Sequence, residues 1–276
     1  MEVIELSSKS FIDASRLGKY YGCNLSQIRY LHGVNNTARL SRGISGADIV
    51  EMDVRFEGGE LVLKHDVDGE STLTLQGAVD EMSGKKVGIK LDIKEDKAVE
   101  PIFKLIIEAI NKRQLVDLVI LNADVFSGPG ASPENTGLSI DCFVSLATEI
   151  FPVKKFPQIL LSVGGITKLD ENDKPIKDEQ YFQKDFEQIL QIIEEVGWKG
   201  GVTIPIRAAY LVQSGKEILA FLKKYKDDSR ITLNLWNNEP VTKKTIEWII
   251  KNLDPNVYFN DLIDSVTQDP LVVENL

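Results

Sequence analysis

Histidine and cysteine are scarce in this chain: 276 residues hold only two of each. Cys23 and Cys142 stand far apart with no CxxC spacing, which excludes a disulfide framework and a cysteine zinc site as readings of the sequence. Positive charge is short too. Lys and Arg number 32 against 42 Asp and Glu, so the formal charge is −10 and neither a nucleic acid nor an anionic membrane is a natural partner. No apolar run approaches the ~20 residues of a transmembrane helix. The N-terminal MEVIELSSKSFIDASRL carries acids early and has no apolar core of signal-peptide length, so a cytoplasmic protein is expected. No Gly-rich dinucleotide or P-loop fingerprint falls at a strand-to-helix turn, and there is no internal repeat or low-complexity tract.

What is present is alternation. Short β-rich runs at Ile28–His32, Asp48–Asp53 (with a possible extension at Leu61–His65), Val87–Asp92, Leu118–Asn122, Gln158–Val163, Gly201–Ile206, Ile231–Leu235 and Asn256–Phe259 are separated by longer segments. Several of those segments, such as Ala98–Lys112, Gln180–Val196 and Lys243–Leu253, repeat apolar residues every three or four positions, as amphipathic helices do. Strands alternating with helices through one chain predict an α/β protein, a single (β/α)8 TIM barrel over residues 1–276 with 1–25 as an N-terminal extension. An open doubly wound sheet is the alternative. Two irregular stretches, Ser127–Thr136 and Thr167–Asp178, would leave the C-terminal ends of strands, where such barrels build their sites.

Alternation along a strand puts Glu51 and Asp53 on one side, and Lys90, Asp92 and Lys94 on one side of the next strand. Isolated charges pointing into a barrel cost several kcal/mol unless paired or bound to metal. Glu51, Asp53 and Asp92 therefore make a candidate all-oxygen site for one divalent cation, Mg²⁺ or Ca²⁺. The competing reading is a salt-bridge network in which Lys90 and Lys94 neutralise the acids. His32 and His65 each end an apolar run, so one neutral imidazole can accept a proton while the other donates one. Lys94 would share the neutralisation of a phosphate's charge. Later strand ends offer Asn122 with Asp124, Arg207, Trp236 with Glu239, and Asn260 with Asp261. With Asn35 and Lys90, the residues Asn122, Arg207, Trp236, Glu239 and Asn260 form the expected substrate-binding set.

At these residues the chain resembles the phospholipase-C-like phosphodiesterase superfamily of TIM barrels. Its glycerophosphodiester phosphodiesterases have counterparts of His32-Gly-Val-Asn, Gly46-Ala-Asp-Ile-Val-Glu-Met-Asp53, His65-Asp66 and Asp92-Ile-Lys94. No arginine follows His32 and the third acid is Asp rather than Glu. In both respects, and in Trp236 followed by Glu239, the chain is more similar to the sphingomyelinase D branch. The menorin family matches along most of the chain, through Lys90–Lys94, Asn122-Ala-Asp124 with Gly128-Pro129, Leu161–Gly164, Arg207-Ala208 and the Thr232–Trp236 region. The superfamily resemblance implies a metal at Glu51, Asp53 and Asp92, acid-base work by His32 and His65, and Lys94 on the phosphate. The expected activity is hydrolysis of a small glycerophosphodiester or lysophospholipid-like phosphodiester, through a cyclic phosphate or directly by water. The menorin likeness carries an alternative, a catalytically silent barrel used for binding and adhesion-type signalling.

Overall fold

The computed structural model describes residues 14–262 apart from 116, 135, 136 and 240. Nine strands form one sheet: β1 (Tyr30–Leu31), β2 (Ile49–Glu57), β3 (Glu60–Leu63), β4 (Gly88–Ile93), β5 (Val119–Ser127), β6 (Ile159–Ile166), β7 (Gly201–Arg207), β8 (Ile231–Asn237) and β9 (Tyr258–Leu262). The order β1-β2-β4-β5-β6-β7-β8-β9 is parallel throughout, and β3 folds back antiparallel on β2. The helices are α1 (Ala14–Tyr21), α2 (Thr37–Gly46), α3 (Leu75–Met82), α4 (Asp96–Asn111), α5 (Leu146–Ile150), α6 (Gln183–Val196), α7 (Gly215–Lys224) and α8 (Lys243–Asn252). This is a nearly closed (β/α)8 TIM barrel. Across the seam between β1 and β9, the rings of Tyr30 and Phe259 meet edge-on with centroids 6.0 Å apart.

The helices form where the sequence periodicity puts them. In α4 the residues Ala98, Val99, Ile102, Phe103, Ile106 and Ala109 are buried, a repeat of three and four that lays one stripe on the sheet. This helix starts at Asp96, so Pro101 falls in its second turn, beyond the first-turn position where a missing N–H is harmless. Helix α6 ends at Gly197, whose φ of +87° a side chain would strain. The Thr242 hydroxyl accepts from Thr245 N at 3.2 Å and caps α8.

Strand alternation divides the interior in two. Outward residues such as Val50, Leu91, Leu121, Leu161, Ile204 and Leu235 pack in the large core against the helices. Inward residues near the strand starts, among them Tyr30, Ile49, Ile120, Leu160 and Phe259, form a second apolar cluster that plugs the barrel floor. The expected N-terminal extension contributes to that plug. Leu17 and Leu25 join it, and Tyr20 and Tyr21 donate hydroxyl hydrogen bonds to the buried Asp117 at 3.0 and 2.9 Å. Residues 1–13 of the extension lie outside the described residues. Because the floor is apolar and sealed, the charged inward residues are confined to the opposite mouth.

The expected extension of the second strand is instead the separate strand β3, paired Val54 to Leu63 in a hairpin through Gly58 and Gly59. Both glycines have positive φ, which lets the chain reverse within two residues. His65 consequently sits in the loop after this hairpin rather than on a barrel strand. The two irregular stretches pack on each other: Lys168 N donates to Pro129 O at 3.1 Å, and Tyr210 OH donates to Lys168 O. Positions 135 and 136 of the first stretch are outside the described residues.

Candidate active site at the barrel mouth

Parallel registry brings the charged residues of β2 and β4 side by side, Glu51 opposite Lys90 and Asp53 opposite Asp92. One oxygen each from Glu51, Asp53 and Asp92 can be chosen so that all three lie within 4.8 Å of one another. Some point then lies within 4.8/√3, about 2.8 Å, of every one of them. Calcium–oxygen distances run to ~2.6 Å, so side-chain shifts of a few tenths of an ångström would complete a coordination set. Glu51 is 1% exposed, and its Oε1 has no hydrogen-bond partner. Burial and the neighbouring Asp53 and Asp92 raise its pKa against the pull of His32 and Lys90. An orphaned, crowded carboxylate oxygen fits a cation, so the triad can hold one.

The other oxygens are held from several directions. Gly33 N donates to Glu51 Oε2 at 2.6 Å, and Asn35 binds Asp53 twice: Nδ2 donates to its Oδ2 at 2.6 Å and Asp53 N donates to Asn35 Oδ1 at 3.0 Å. Lys94 Nζ bridges Asp53 Oδ1 at 2.7 Å and Asp92 Oδ2 at 2.5 Å. Asn122 Nδ2 donates to Asp92 Oδ1 at 2.8 Å while its own Oδ1 accepts from the buried Ser162 hydroxyl. Desolvation lowers the tendency of Lys94 to stay charged, but Asp92 and Asp53 outweigh it and its pKa is raised.

His32 enters from the end of β1. Its Nδ1 lies 3.5 Å from Glu51 Oε2 and 3.4 Å from Asp261 Oδ1, at ion-pair rather than hydrogen-bond distance. Burial disfavours the charged ring, yet these two carboxylates outweigh it and push the pKa up to about 9. Asp261 is itself buried, which favours its neutral form, but Lys90 Nζ at 2.9 Å and His32 hold its pKa down at about 2. His65 is different in kind: its side chain is 62% exposed, and its Nδ1 is 2.8 Å from Asp66 Oδ1. The loop is tied down through its backbone, because Arg55 donates twice to the His65 carbonyl at 3.0 and 2.7 Å.

Both histidines, Asp53, Asp92, Lys94, Lys90, Asn122, Arg207 and Trp236 line one cavity of about 230 Å³. The guanidinium of Arg207 stacks on Trp236, 5.1 Å from the ring centroid, and pairs with Glu239. Glu239 itself lines a neighbouring hollow of about 410 Å³, and Asn35 acts from behind Asp53. Asn260 does not line the cavity. It is in register with Leu235, a residue of the helix-side core, whereas its neighbour Asp261 pairs with Trp236 and turns inward. Asp261 and Asp124 belong to the site; both are among the strand-end candidates of the sequence but outside the expected substrate-binding set. Parity was the available signal: with β9 ending at Phe259 both 260 and 261 read as turn residues, but the strand runs to Leu262. A larger hollow of about 930 Å³ opens near the barrel floor between α1 and α7 and contains none of the expected site residues.

Among the described residues, no helix is long and apolar enough to cross a membrane. The human Protein FAM151B is 28% identical over 254 residues, covering 87% of this chain and 83% of that protein. The profile of the Menorin N-terminal domain matches residues 24–267, a span that takes in every barrel strand and all the residues that line the mouth, and the chain thus belongs to the Menorin N-terminal domain family.

Proposed function

We propose that the barrel mouth hydrolyses or cyclises a small phosphodiester of the glycerophosphodiester or lysophospholipid type with the help of one divalent cation, Mg²⁺ or Ca²⁺. The observation that carries this reading is the meeting of two imidazoles, Lys94, Asp53 and Asp92 on one small cavity, with the buried Glu51 close enough to complete an acidic triad. Glu51, Asp53 and Asp92 would hold the cation, which when bound offsets charge on the phosphate oxygens. Lys94, already between Asp53 and Asp92, presents a second positive charge to the same group. His65 donates Nδ1–H to Asp66, which leaves Nε2 to take the proton of the attacking hydroxyl. That hydroxyl belongs either to the substrate carbon next to the ester, giving a cyclic phosphate, or to water. As the new P–O bond forms, the P–O bond to the leaving alkoxide breaks, and His32 supplies the proton that alkoxide needs.

The test is an assay against glycerophosphodiesters and lysophospholipids with Mg²⁺, Ca²⁺ or chelator, beside His32→Ala and His65→Ala. Turnover that needs the cation and falls at least ~100-fold in each variant is expected. Turnover indifferent to chelator or to both substitutions would overturn the mechanism. One observation favours a second reading, a barrel kept for binding without turnover: Lys94 already pairs with two of the three acids. Absence of turnover together with absence of calorimetric cation binding would decide for that reading.

A further inference from the structure

Three carboxylates line the catalytic cavity. Asp53 and Asp92 are held by Asn35, Asn122 and Lys94, whereas the carboxylate of Asp124 meets no hydrogen bond or ion pair among the described residues. It is nonetheless built into the wall. Asp124 stands on the inward row of β5, two residues beyond Asn122, and its carbonyl accepts from Leu138 N at 2.8 Å. Across the register is Gly164, where an added Cβ would lie 2.8 Å from Asp124 Oδ1 and 2.4 Å from Pro205 Cγ. The missing side chain at 164 leaves the volume that the Asp124 carboxylate fills.

The charges around the mouth match up group by group, with one remainder. Asp261 has Lys90 and His32, Glu239 has Arg207, and the triad has Lys94 and the proposed cation. Asp124 has no ion pair among the described residues: burial and the neighbouring Asp92 raise its pKa to about 6 against the weaker pull of Lys94 and Lys90. A positive charge on the substrate would supply the missing partner. A quaternary ammonium is bound best by an open aromatic face, and the Arg207 guanidinium already occupies one face of Trp236. Two unpartnered carboxylate oxygens suit N–H donors instead.

We propose that Asp124 is a specificity-determining residue that binds a primary ammonium on the alcohol arm of the phosphodiester. The inference rests on the phosphodiester reading and deepens it. It selects amine-bearing arms over arms that are neutral or quaternary.

The test reads binding rather than turnover. In the full-length protein with saturating Mg²⁺, O-phosphoethanolamine, methyl phosphate and phosphocholine are titrated calorimetrically into wild type, Asp124→Asn and Asp124→Ser. Wild type is expected to prefer O-phosphoethanolamine to both others by roughly ten-fold, the scale of one charge-assisted hydrogen bond. Both variants should lose that preference while still binding methyl phosphate as well as wild type or better. Retention of methyl phosphate also shows that the variants are folded. Equal affinities in wild type, phosphocholine as tight as O-phosphoethanolamine, or a preference that survives both substitutions would each overturn the role of Asp124 with the phosphate site intact. Failure of all three probes to bind wild type would instead refute the phosphodiester reading beneath it.

Discussion

Lys90→Met removes the only lysine among the described residues that contacts Asp261, and its cost can be approached by two routes. Lys90 is 4% exposed and Asp261 1%, with 2.9 Å between Nζ and Oδ2, so the substitution strands a carboxylate in the barrel. Breaking a buried pair from one side costs about 3–5 kcal/mol. His32 at 3.4 Å and Asn234 at 3.5 Å still face Asp261, which puts the expectation near the lower end, about 3 kcal/mol. The second route is linkage. The folded pKa of Asp261 is about 2, against an unfolded value of ~3.9, a gap on the order of 2–3 kcal/mol that Lys90 and His32 share. Its folded pKa is depressed, so the stabilisation is present above pH ~4 and is lost as pH falls toward 2. Urea unfolding of Lys90→Met should therefore show a deficit of about 3 kcal/mol at pH 7, equal to a fall in Tm of about 6–12 °C, that narrows below pH ~4. The double variant Lys90→Met/Asp261→Asn should recover most of it, because the stranded charge goes with its partner. A deficit under ~1 kcal/mol, or one that persists unchanged in acid and in the double variant, would refute the reasoning.

Three further outcomes follow from other parts of the wall. Asp92→Asn should weaken calorimetric Mg²⁺ or Ca²⁺ binding by ten-fold or more, roughly the loss of one anionic ligand, and cost about 1 kcal/mol in urea, because an amide keeps the Asn122 contact but gives up the ion pair with Lys94, which retains Asp53. Gly164→Ala should destabilise by about 1–3 kcal/mol in urea, since its Cβ would meet Pro205 Cγ at 2.4 Å in a region where backbone and ring have little room to yield. Thr242→Ala should cost about 1 kcal/mol by removing the cap of α8, and Thr242→Ser should restore it.

The barrel was legible because its two signals do not compete. Buried parallel strands read as short apolar runs, and the amphipathic stripe of α4 or α6 reads at a three-to-four spacing in the same chain. The acidic triad was legible for a related reason: within Ile49–Glu57 and Gly88–Ile93, alternation alone puts Glu51, Asp53 and Asp92 on one side. Parity fails where a strand boundary is wrong. With the end of β9 placed at Phe259, parity could not choose between Asn260 and Asp261, and the expected set took Asn260, which shares the register of Leu235, over the inward Asp261. His65 shows another limit. Its place at the mouth depends on a hairpin folding β3 onto β2, which is signalled by the Gly58-Gly59 turn and not by any periodicity in Leu61–His65. Asp124 could be read as an inward strand residue, but its lack of a partner is a property of everything around it.

The remaining tension in the site concerns Lys94, which bridges Asp53 and Asp92 as a bound cation would. The two are not alternatives. Lys94 reaches Asp53 Oδ1 and Asp92 Oδ2 and leaves Glu51 Oε1 with no hydrogen bond, so the third acid of the triad is untouched by it. A carboxylate oxygen has room for about two donors or ligands, so Asp53 and Asp92 can bind Lys94 and a cation together. The lysine then lowers the repulsion between Asp53 and Asp92 before any cation arrives, and Glu51 supplies the anionic oxygen that makes a divalent charge worth accepting. If Lys94 merely replaced a metal, Lys94→Met would tighten Mg²⁺ or Ca²⁺ binding by vacating the bridge. If it shares the site, the same substitution leaves cation affinity within about ten-fold of wild type, while phosphate binding measured with inorganic phosphate falls. Calorimetry on that single variant separates the two, and a cation that binds more than ten-fold tighter without Lys94 would refute the shared site.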